Sequence, residues 1–467
     1  MYSKDFGDII WESEGKVEII KNKEFIVEIV DQGYLGEGIA KIDNFTIFIP
    51  NAIINEKVKI VITKVTSSHA YGRVVEYIEK SNIRVEPDCN TYKRCGGCSL
   101  RHMEYEATLT LKKQIVENCL YKELKRKLEV NNVIGMETPV YYRNKLQYPI
   151  GLNKEKTPVM GVFANRSHEI IEVKECFIQN KVCQQIANDM FKYIVDNKIS
   201  IYNEESKKGL VRHIVIKTGT KTNEIMVILV LKENKLKEEK ELTKYLTSKY
   251  PNIKSVIKNI NTQNTNVILG NKNIVLYGQE YICDTLGEFT FRISPLSFYQ
   301  VNPTQTEVLY QKAIEYAELT KKEIVLDLYC GIGTISLFVA KYVKKVYGIE
   351  IVEEAVENAK ENAQINEIKN AEFFAGNIEN EETLEKIKKM KADVIFIDPP
   401  RKGMETSTIE ALLEIEPKKI IYISCNPATL ARDIKYLSEK YEIKEIQPVD
   451  LFPYTTHVEC VVLLTLK

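Results

Sequence analysis

The stretch Ile324-Val-Leu-Asp-Leu-Tyr-Cys-Gly331-Ile-Gly333-Thr-Ile-Ser-Leu reads as a strand, a glycine turn and a helix. It is the first of five strand-like segments separated by helical ones. Lys345-Val-Tyr-Gly-Ile-Glu350 is the second and Phe373-Phe-Ala-Gly-Asn377 the third. Ala392-Asp-Val-Ile-Phe-Ile-Asp398-Pro-Pro400 is the fourth and Ile420-Ile-Tyr-Ile-Ser424 the fifth. This alternation, which begins near Gly287, predicts a doubly wound parallel sheet. The fifth segment is apolar and mostly β-branched, as a strand buried on both faces must be. Ser424-Cys425-Asn426-Pro427 ends it, because Pro427 has no ladder N–H and asparagine favours turns. Cys425 therefore falls at the carboxyl end of a parallel strand, where open α/β sheets place ligands. The bland alternative is a small buried hydrophobe.

At 467 residues the chain predicts two to four domains with ample core. Lys+Arg and Asp+Glu both number 65, so the formal net charge is zero. Nucleic-acid binding rests largely on phosphate neutralisation, so any such site must be a local basic surface. No run of about 18 apolar residues is present, which predicts no membrane span. Met1-Tyr-Ser-Lys-Asp-Phe-Gly-Asp lacks the basic start and apolar core of a signal peptide. A cytoplasmic protein is expected, and its ten cysteines then serve as thiols or metal ligands more often than as disulfides.

From Asn22 to Lys80 the pattern is all-β. Phe25–Val30, Gly38–Pro50, Lys57–Thr63 and Tyr71–Glu76 read as short strands punctuated by Gly33, Gly36 and Asp43-Asn44. Such spacing predicts a small closed barrel, of the kind that often binds nucleic acid. Lys41, Lys57, Lys59, Lys64, Arg73 and Lys80 could form a basic face or simply aid solubility. Cys89-Asn-Thr-Tyr-Lys-Arg-Cys95-Gly-Gly-Cys98 follows, and its paired glycines let the backbone wrap an inorganic centre. Three thiolates need a fourth partner. Cys176 would complete an all-thiolate iron–sulfur site, and His102 a Cys₃His zinc site. Cys119 and Cys183 lie in helix-like stretches and read as packing residues. Residues 101–130 read as a helix. Tyr141-Tyr-Arg-Asn-Lys-Leu-Gln-Tyr148 mixes aromatics with cations, which suits base stacking and phosphate contact as well as a solvated strand. Ile225–Leu231 reads as a buried strand and 232–244 as a charged helix.

The glycines at 331 and 333 allow a ligand close to the backbone, and Glu350 ends the second strand, where a carboxylate can hold ribose hydroxyls. A dinucleotide fingerprint wants a third glycine at 336, and Ser336 stands there. S-adenosylmethionine fits better than a nicotinamide cofactor. Asp398-Pro-Pro-Arg401 makes a stiff loop of the kind found in methyltransferases that act on planar nitrogenous rings. An aromatic residue at its end would favour methylation of an exocyclic amine; Arg401 and the nearby Cys425 favour carbon. C5 of a pyrimidine is too electron-poor to attack a sulfonium methyl until a thiolate adds at C6. The reaction then needs a low-pKa thiol, a donor near O4 and a base on the C5 face. Glu459 is a candidate base and His457 its rival.

With these motifs in place the chain resembles the RNA uracil-5-methyltransferases, most closely the bacterial 23S ribosomal RNA enzymes that carry an iron–sulfur cluster. The resemblance implies a TRAM barrel over 22–80 and a [4Fe-4S] cluster on Cys89, Cys95, Cys98 and Cys176, in preference to zinc with His102. It implies that Gln300, within Ser297-Phe-Tyr-Gln-Val-Asn302, reaches S-adenosylmethionine and that Phe298 packs against a flipped base. It places Asp327, Tyr329, Thr334, Glu350, Asn377 and Asp398 on cofactor-contact positions. Thr334 stands where some relatives have asparagine. Cys425 is the implied nucleophile and Glu459 the implied base. The expected layout is an N-terminal extension over 1–21, the barrel over 22–80, a central α+β cluster domain over 81–286 and a Rossmann-like methyltransferase domain over 287–467. The expected partner is 23S ribosomal RNA, met by a monomer, with the cluster structural or RNA-contacting. The tRNA branch of the family usually lacks both barrel and cluster and is the less favoured assignment. An exocyclic-amine enzyme using the Asp-Pro-Pro loop is the other alternative, with a non-catalytic RNA-binding protein further off.

Overall fold

The computed structural model describes residues 17–165 and 167–467. Most of the N-terminal extension expected over 1–21 therefore lies outside the described residues. The chain forms two compact units. One takes the residues up to Glu86 together with His102–Glu104, and the other Pro87–Arg101 with Tyr105–Lys467.

The first unit is a small β-barrel. Glu24–Glu28 and Asp31–Gln32 are two parts of one bent stretch. The first part pairs with Lys57–Val65 and the second with Gly38–Ile42, and Phe45–Ile49 and His69–Glu79 complete the six-stranded sheet. Alternate residues face inward, so Ile47, Ile49, Val58, Ile60 and Ile62 are all fully buried. Gly72 lies over this core, where a Cβ would stand 3.1 Å from Ile60. Glu56, also buried, accepts bonds from Arg84 and from the Ile53 N–H.

The second unit contains two seven-stranded sheets joined by a hairpin. In space the first sheet runs Lys272–Gly278, Ile253–Ile260, Ile225–Leu231, Val211–Thr218, Lys145–Leu152, Pro158–Phe163 and Ile170–Glu172. Ile225–Leu231 is buried at every position, as its unbroken apolar run requires. The helices Lys181–Asp196 and Glu239–Lys249 cover one face through Ile186, Met190, Leu242 and Leu246. The charged helix expected over 232–244 thus lies further on, at Glu239–Lys249, with Leu242 and Leu246 on its packed face. The other face, through Val215, Met226, Ile228 and Val230, shares a core with the hairpin Ile282–Leu286/Phe289–Ile293 and with the second sheet. Leu286, where a domain boundary was expected, is the last residue of the hairpin's first strand.

The second sheet runs Ala371–Ala375, Lys345–Glu350, Ile324–Leu328, Val394–Ile397, Lys419–Ser424, Glu459–Leu466 and Tyr441–Val449. The first five are parallel, with connecting helices between them, and the last two are antiparallel additions. Ile420, Ile421, Tyr422 and Ile423 are each fully buried. At about 2 kcal/mol per large apolar side chain, this strand anchors the sheet. Among the described residues, no helix is long and apolar enough to cross a membrane.

Candidate active site

The carboxyl ends of these parallel strands converge on one group of polar side chains. The sequence builds the ends in a repeated way. Asn426 caps the helix Pro427–Leu437, accepting from the Ala428 N–H at 3.1 Å with Pro427 in the first turn. Asn302 does the same for Pro303–Ala317, accepting from the Gln305 N–H at 3.3 Å. Both caps fix a functional segment immediately before them, Ser424-Cys425 and Phe298–Gln300.

In the antiparallel pairing of the last strands, Ser424 stands opposite Cys460. The pairing ends there, with Cys425 the next residue on one side and Glu459 the preceding one on the other, close enough that the Glu459 charge acts on the Cys425 thiol. Glu459 is buried, and burial pushes its carboxyl up to about 8, with Asp398 adding and Arg401 opposing. Burial likewise pushes Asp398 up to about 7, although part of the residue stays exposed. The Cys425 thiol is half-buried, and burial, Glu459 and Asp398 together raise it to about 11, against the pull of Arg401. Burial and the two acids thus work against the low-pKa thiol expected from the chemistry, and Arg401 works for it. Two acids, the buried Glu459 and the half-buried Asp398, act on the sulfur, and one cation, on the exposed Arg401, offsets them.

Asp327 completes the acidic group. It is fully buried, and burial raises it to about 7, the Ser336 hydroxyl opposing this from 2.5 Å. Its other oxygen, Oδ1, has no hydrogen-bond partner among the described residues. Ser336 thus serves the site through Asp327. Thr334 takes a 3.1 Å contact with the hydroxyl of Tyr310, a buried residue that feels the charges of Asp398, Asp327 and Glu459. Glu350 accepts from the Gly331 N–H at 3.1 Å and the Val352 N–H at 3.0 Å. Gly331 and Gly333 have φ of 55° and 84°, and a Cβ at Gly331 would meet nothing within 4 Å. The space over this turn is open. Tyr329, with φ of 66°, turns the chain here, while its ring packs with the core on the side of Tyr422 and Ile409. Asn377 is half-buried and accepts from the Glu379 N–H at 2.9 Å. Gln300 is half-buried, its carbonyl accepting from the Asn144 amide at 3.0 Å. Phe298, two residues earlier, is 70% exposed.

His457 does not share the environment of Glu459. It is exposed at residue level, and its ring is pushed down by burial and by Arg401, Lys112 and Arg143. Arg143 and Arg401 are cations of the kind a phosphate backbone needs. Arg143 falls within the aromatic and cationic stretch noted in the sequence, but Tyr310, Lys217 and Asp450 carried no local signal. Lys217 is buried and donates to the carbonyls of Ser294 at 2.8 Å and Ser297 at 3.0 Å.

Elsewhere in the same unit the thiols of Cys89, Cys95, Cys98 and Cys176 are half-buried and lie close enough to feel one another's charge. Burial raises Cys98 to about 12, with Cys176, Cys95 and Cys89 contributing. The Gly97 N–H donates to the Cys95 sulfur at 3.3 Å, and a Cβ on Gly97 would stand only 3.3 Å from that sulfur. Among the described residues no three Cys, His, Asp or Glu side chains form a single-ion site. His102 belongs to the barrel unit, where burial and Arg84 push its ring down to about 3.

The profile of the tRNA (Uracil-5-)-methyltransferase family matches residues 104–467, and that of the TRAM domain residues 21–75. An RNA methyltransferase of Clostridium tetani is 47% identical, with 96% of this chain and 98% of that protein aligned. One from Staphylococcus aureus is 45% identical over 96% and 99%. Among solved structures, the Pyrococcus abyssi tRNA (uracil-54, C5)-methyltransferase in complex with S-adenosyl-L-homocysteine superposes with a TM-score of 0.75. It is 28% identical and covers 94% of this chain and 99% of its own. A tRNA enzyme thus spans nearly this whole chain, so the presence of the barrel does not argue against tRNA. The chain belongs to the tRNA (Uracil-5-)-methyltransferase family and carries a TRAM domain at its N-terminus.

Proposed function

We propose that the protein methylates C5 of uracil in RNA, with Cys425 as nucleophile and Glu459 as base. The observation that supports this reading is their closeness at the end of one strand pair, where the charges of Glu459 and Asp398 act on the Cys425 thiol and that of Asp398 on Glu459. S-adenosylmethionine, when bound, supplies the methyl group on a cationic sulfonium. The residues present fit it: an orphaned buried carboxylate oxygen on Asp327 suits an ammonium, and the open glycine turn leaves room beside Glu350 for ribose hydroxyls. Gln300, Tyr329, Thr334, Asn377 and Asp398 would complete its surroundings.

The flipped uridine leaves its stack at a cost of a few kcal/mol. Phe298 supplies a replacement stacking face. Cys425 adds to C6, and its proton goes to Asp398, which leaves Glu459 ionised for the later step. Glu459 then removes the C5 proton after methyl transfer, the step its raised pKa suits near neutral pH.

Cys89, Cys95, Cys98 and Cys176 would hold a [4Fe-4S] cluster. Four mutually close thiols match its donor set, and a cluster is larger than the single ion for which no site is formed. The substrate we favour is 23S ribosomal RNA, on the strength of the four-cysteine motif; a tRNA substrate is the second reading, favoured by the P. abyssi structure.

The test uses transcripts carrying 5-fluorouridine, which block proton removal. The full chain with S-adenosylmethionine should give a denaturant-resistant RNA adduct, and Cys425→Ser none. Methylation by Cys425→Ser would instead point to the exocyclic-amine alternative. Mapping 5-methyluridine in a strain lacking the protein decides between ribosomal and transfer RNA.

A further inference from the structure

Methyl transfer requires no electron, so the four-cysteine centre must act by other means. Tyr454 lies five residues before Glu459, in the loop that delivers the base. Its φ of 62° puts a bulky residue in the left-handed region, which persists only when the surroundings hold it there.

The residues that hold it flank the cysteines. The Tyr454 carbonyl accepts from the backbone N–H groups of Ser99 and Leu100, both at 3.0 Å, and these are the two residues after Cys98. The Arg101 guanidinium lies 4.6 Å from the Tyr454 ring centroid and 4.8 Å from that of Phe177, the residue after Cys176. Arg101 also grips both carboxylate oxygens of Asp88, the residue before Cys89. The neighbouring Pro453 carbonyl accepts from the Tyr142 hydroxyl at 3.2 Å. Residues 87–101 contain no helix or strand of their own. The bonds that hold Ser99 and Arg101 within this segment come from beside the cysteines, the Tyr92 hydroxyl donating to the Ser99 carbonyl at 3.0 Å and Arg101 gripping Asp88.

We propose that the four-cysteine centre is the anchor of the base loop. Drawing Cys89, Cys95, Cys98 and Cys176 together sets Ser99, Leu100 and Arg101 against Tyr454, and so sets the approach of the chain to Glu459, the first residue of the strand that follows. This rests on the uracil-5 reading and assigns positioning roles to Arg101 and Tyr454. The effect is selective for one step. Addition of sulfur to C6 uses Cys425 on its own strand, with Asp398 on another loop to take the thiol proton. Release uses Glu459: it takes the C5 proton, the C5–H electron pair becomes the C5=C6 double bond, and the C6–S bond breaks with its pair leaving on sulfur. A displaced base loop stalls after methyl transfer, with the RNA still bonded to Cys425.

The experiment uses full-length protein with its iron content measured, ordinary uridine RNA and methyl-labelled S-adenosylmethionine. Arg101→Met at unchanged iron content should turn over roughly 100-fold more slowly. It should also accumulate a labelled, denaturant-resistant protein–RNA species that the parent does not. Tyr142→Phe, which removes one bond to the loop and little volume, should show a weaker form of the same species. Unchanged turnover, or slowed turnover without that species in both variants, overturns the proposal. Parallel reactions with 5-fluorouridine RNA separate the two claims: an adduct in the parent without stalling in the variants sinks the anchor alone, whereas no adduct in the parent sinks the uracil-5 reading and the anchor with it.

Discussion

Lys112 and Asp450 form an ion pair at 2.5 Å with both side chains fully buried, although 338 residues separate them. Desolvation pushes the lysine down, and Asp450 opposes this. Asp450 also accepts from the Tyr105 hydroxyl at 2.8 Å and the Phe452 N–H at 3.2 Å, while Lys112 donates to the Phe452 carbonyl at 3.0 Å. The pair thus ties the helix Tyr105–Leu124 to the root of the base loop. Removing one partner leaves a buried charge without compensation. Lys112→Met should lose about 3–5 kcal/mol in denaturant unfolding. Lys112→Met with Asp450→Asn should recover part of the loss, because the amide keeps an acceptor for Phe452. A loss below about 1 kcal/mol in the single variant would show that the pair does not carry this weight.

Asp327, Asp398 and Glu459 are all raised, to about 7, 7 and 8. An unfolded chain releases these protons near pH 4. Between about pH 4 and 8 the native state holds more protons than the unfolded one, so these groups lower stability as pH rises, and their effect is flat above that window. Asp398→Asn removes one of the three. Its melting temperature should match that of the parent near pH 4 and exceed it increasingly toward pH 8. The gain should reach about 1–3 kcal/mol, discounted for the part of Asp398 that solvent screens. A gap that does not change with pH would refute the raised carboxyl.

The same acids should couple cofactor binding to protons. Ionised Asp327 and Asp398 favour the cationic groups of S-adenosylmethionine, so binding near pH 7 should release roughly one proton. Calorimetry in buffers of different ionisation enthalpy reads this directly. S-adenosylhomocysteine, which lacks the sulfonium charge, should release fewer. Equal release for the two ligands would mean that the acids do not sense the sulfonium.

The parallel sheet was legible because each of its strands is an apolar run ending in a turn residue, as in Ile420–Ser424 and Ala392–Asp398. Tyr441–Val449 was not, since Glu442, Lys444 and Glu445 interrupt the apolar pattern of an edge strand that buries Tyr441, Ile446 and Val449. The motifs mark Cys425 and Glu459 as the proposed nucleophile and base, but their electrostatics could not be read there: a thiol beside two acids suggests activation only until the burial of those acids is known. Lys112, Asp450, Tyr310 and Lys217 carried no signal because their partners lie far along the chain.

Lys217 and Phe298 provide a last test. The Ser294 and Ser297 hydroxyls meet at 2.7 Å, and each accepts from the other residue's N–H, at 3.1 and 3.2 Å. Lys217 closes the turn from beneath through the two carbonyls, so the exposed Phe298 projects from a rigid base. If Phe298 stacks on the flipped base, Phe298→Ala should raise the KM for RNA roughly 10- to 100-fold, matching about 1–3 kcal/mol of stacking. Its stability should stay within about 0.5 kcal/mol of the parent, since the ring is solvent-facing. Lys217→Met should reproduce the RNA defect without weakening cofactor binding. The double variant should be little worse than Phe298→Ala, because both changes remove the same platform. Additive losses would place the action of Lys217 somewhere other than Phe298.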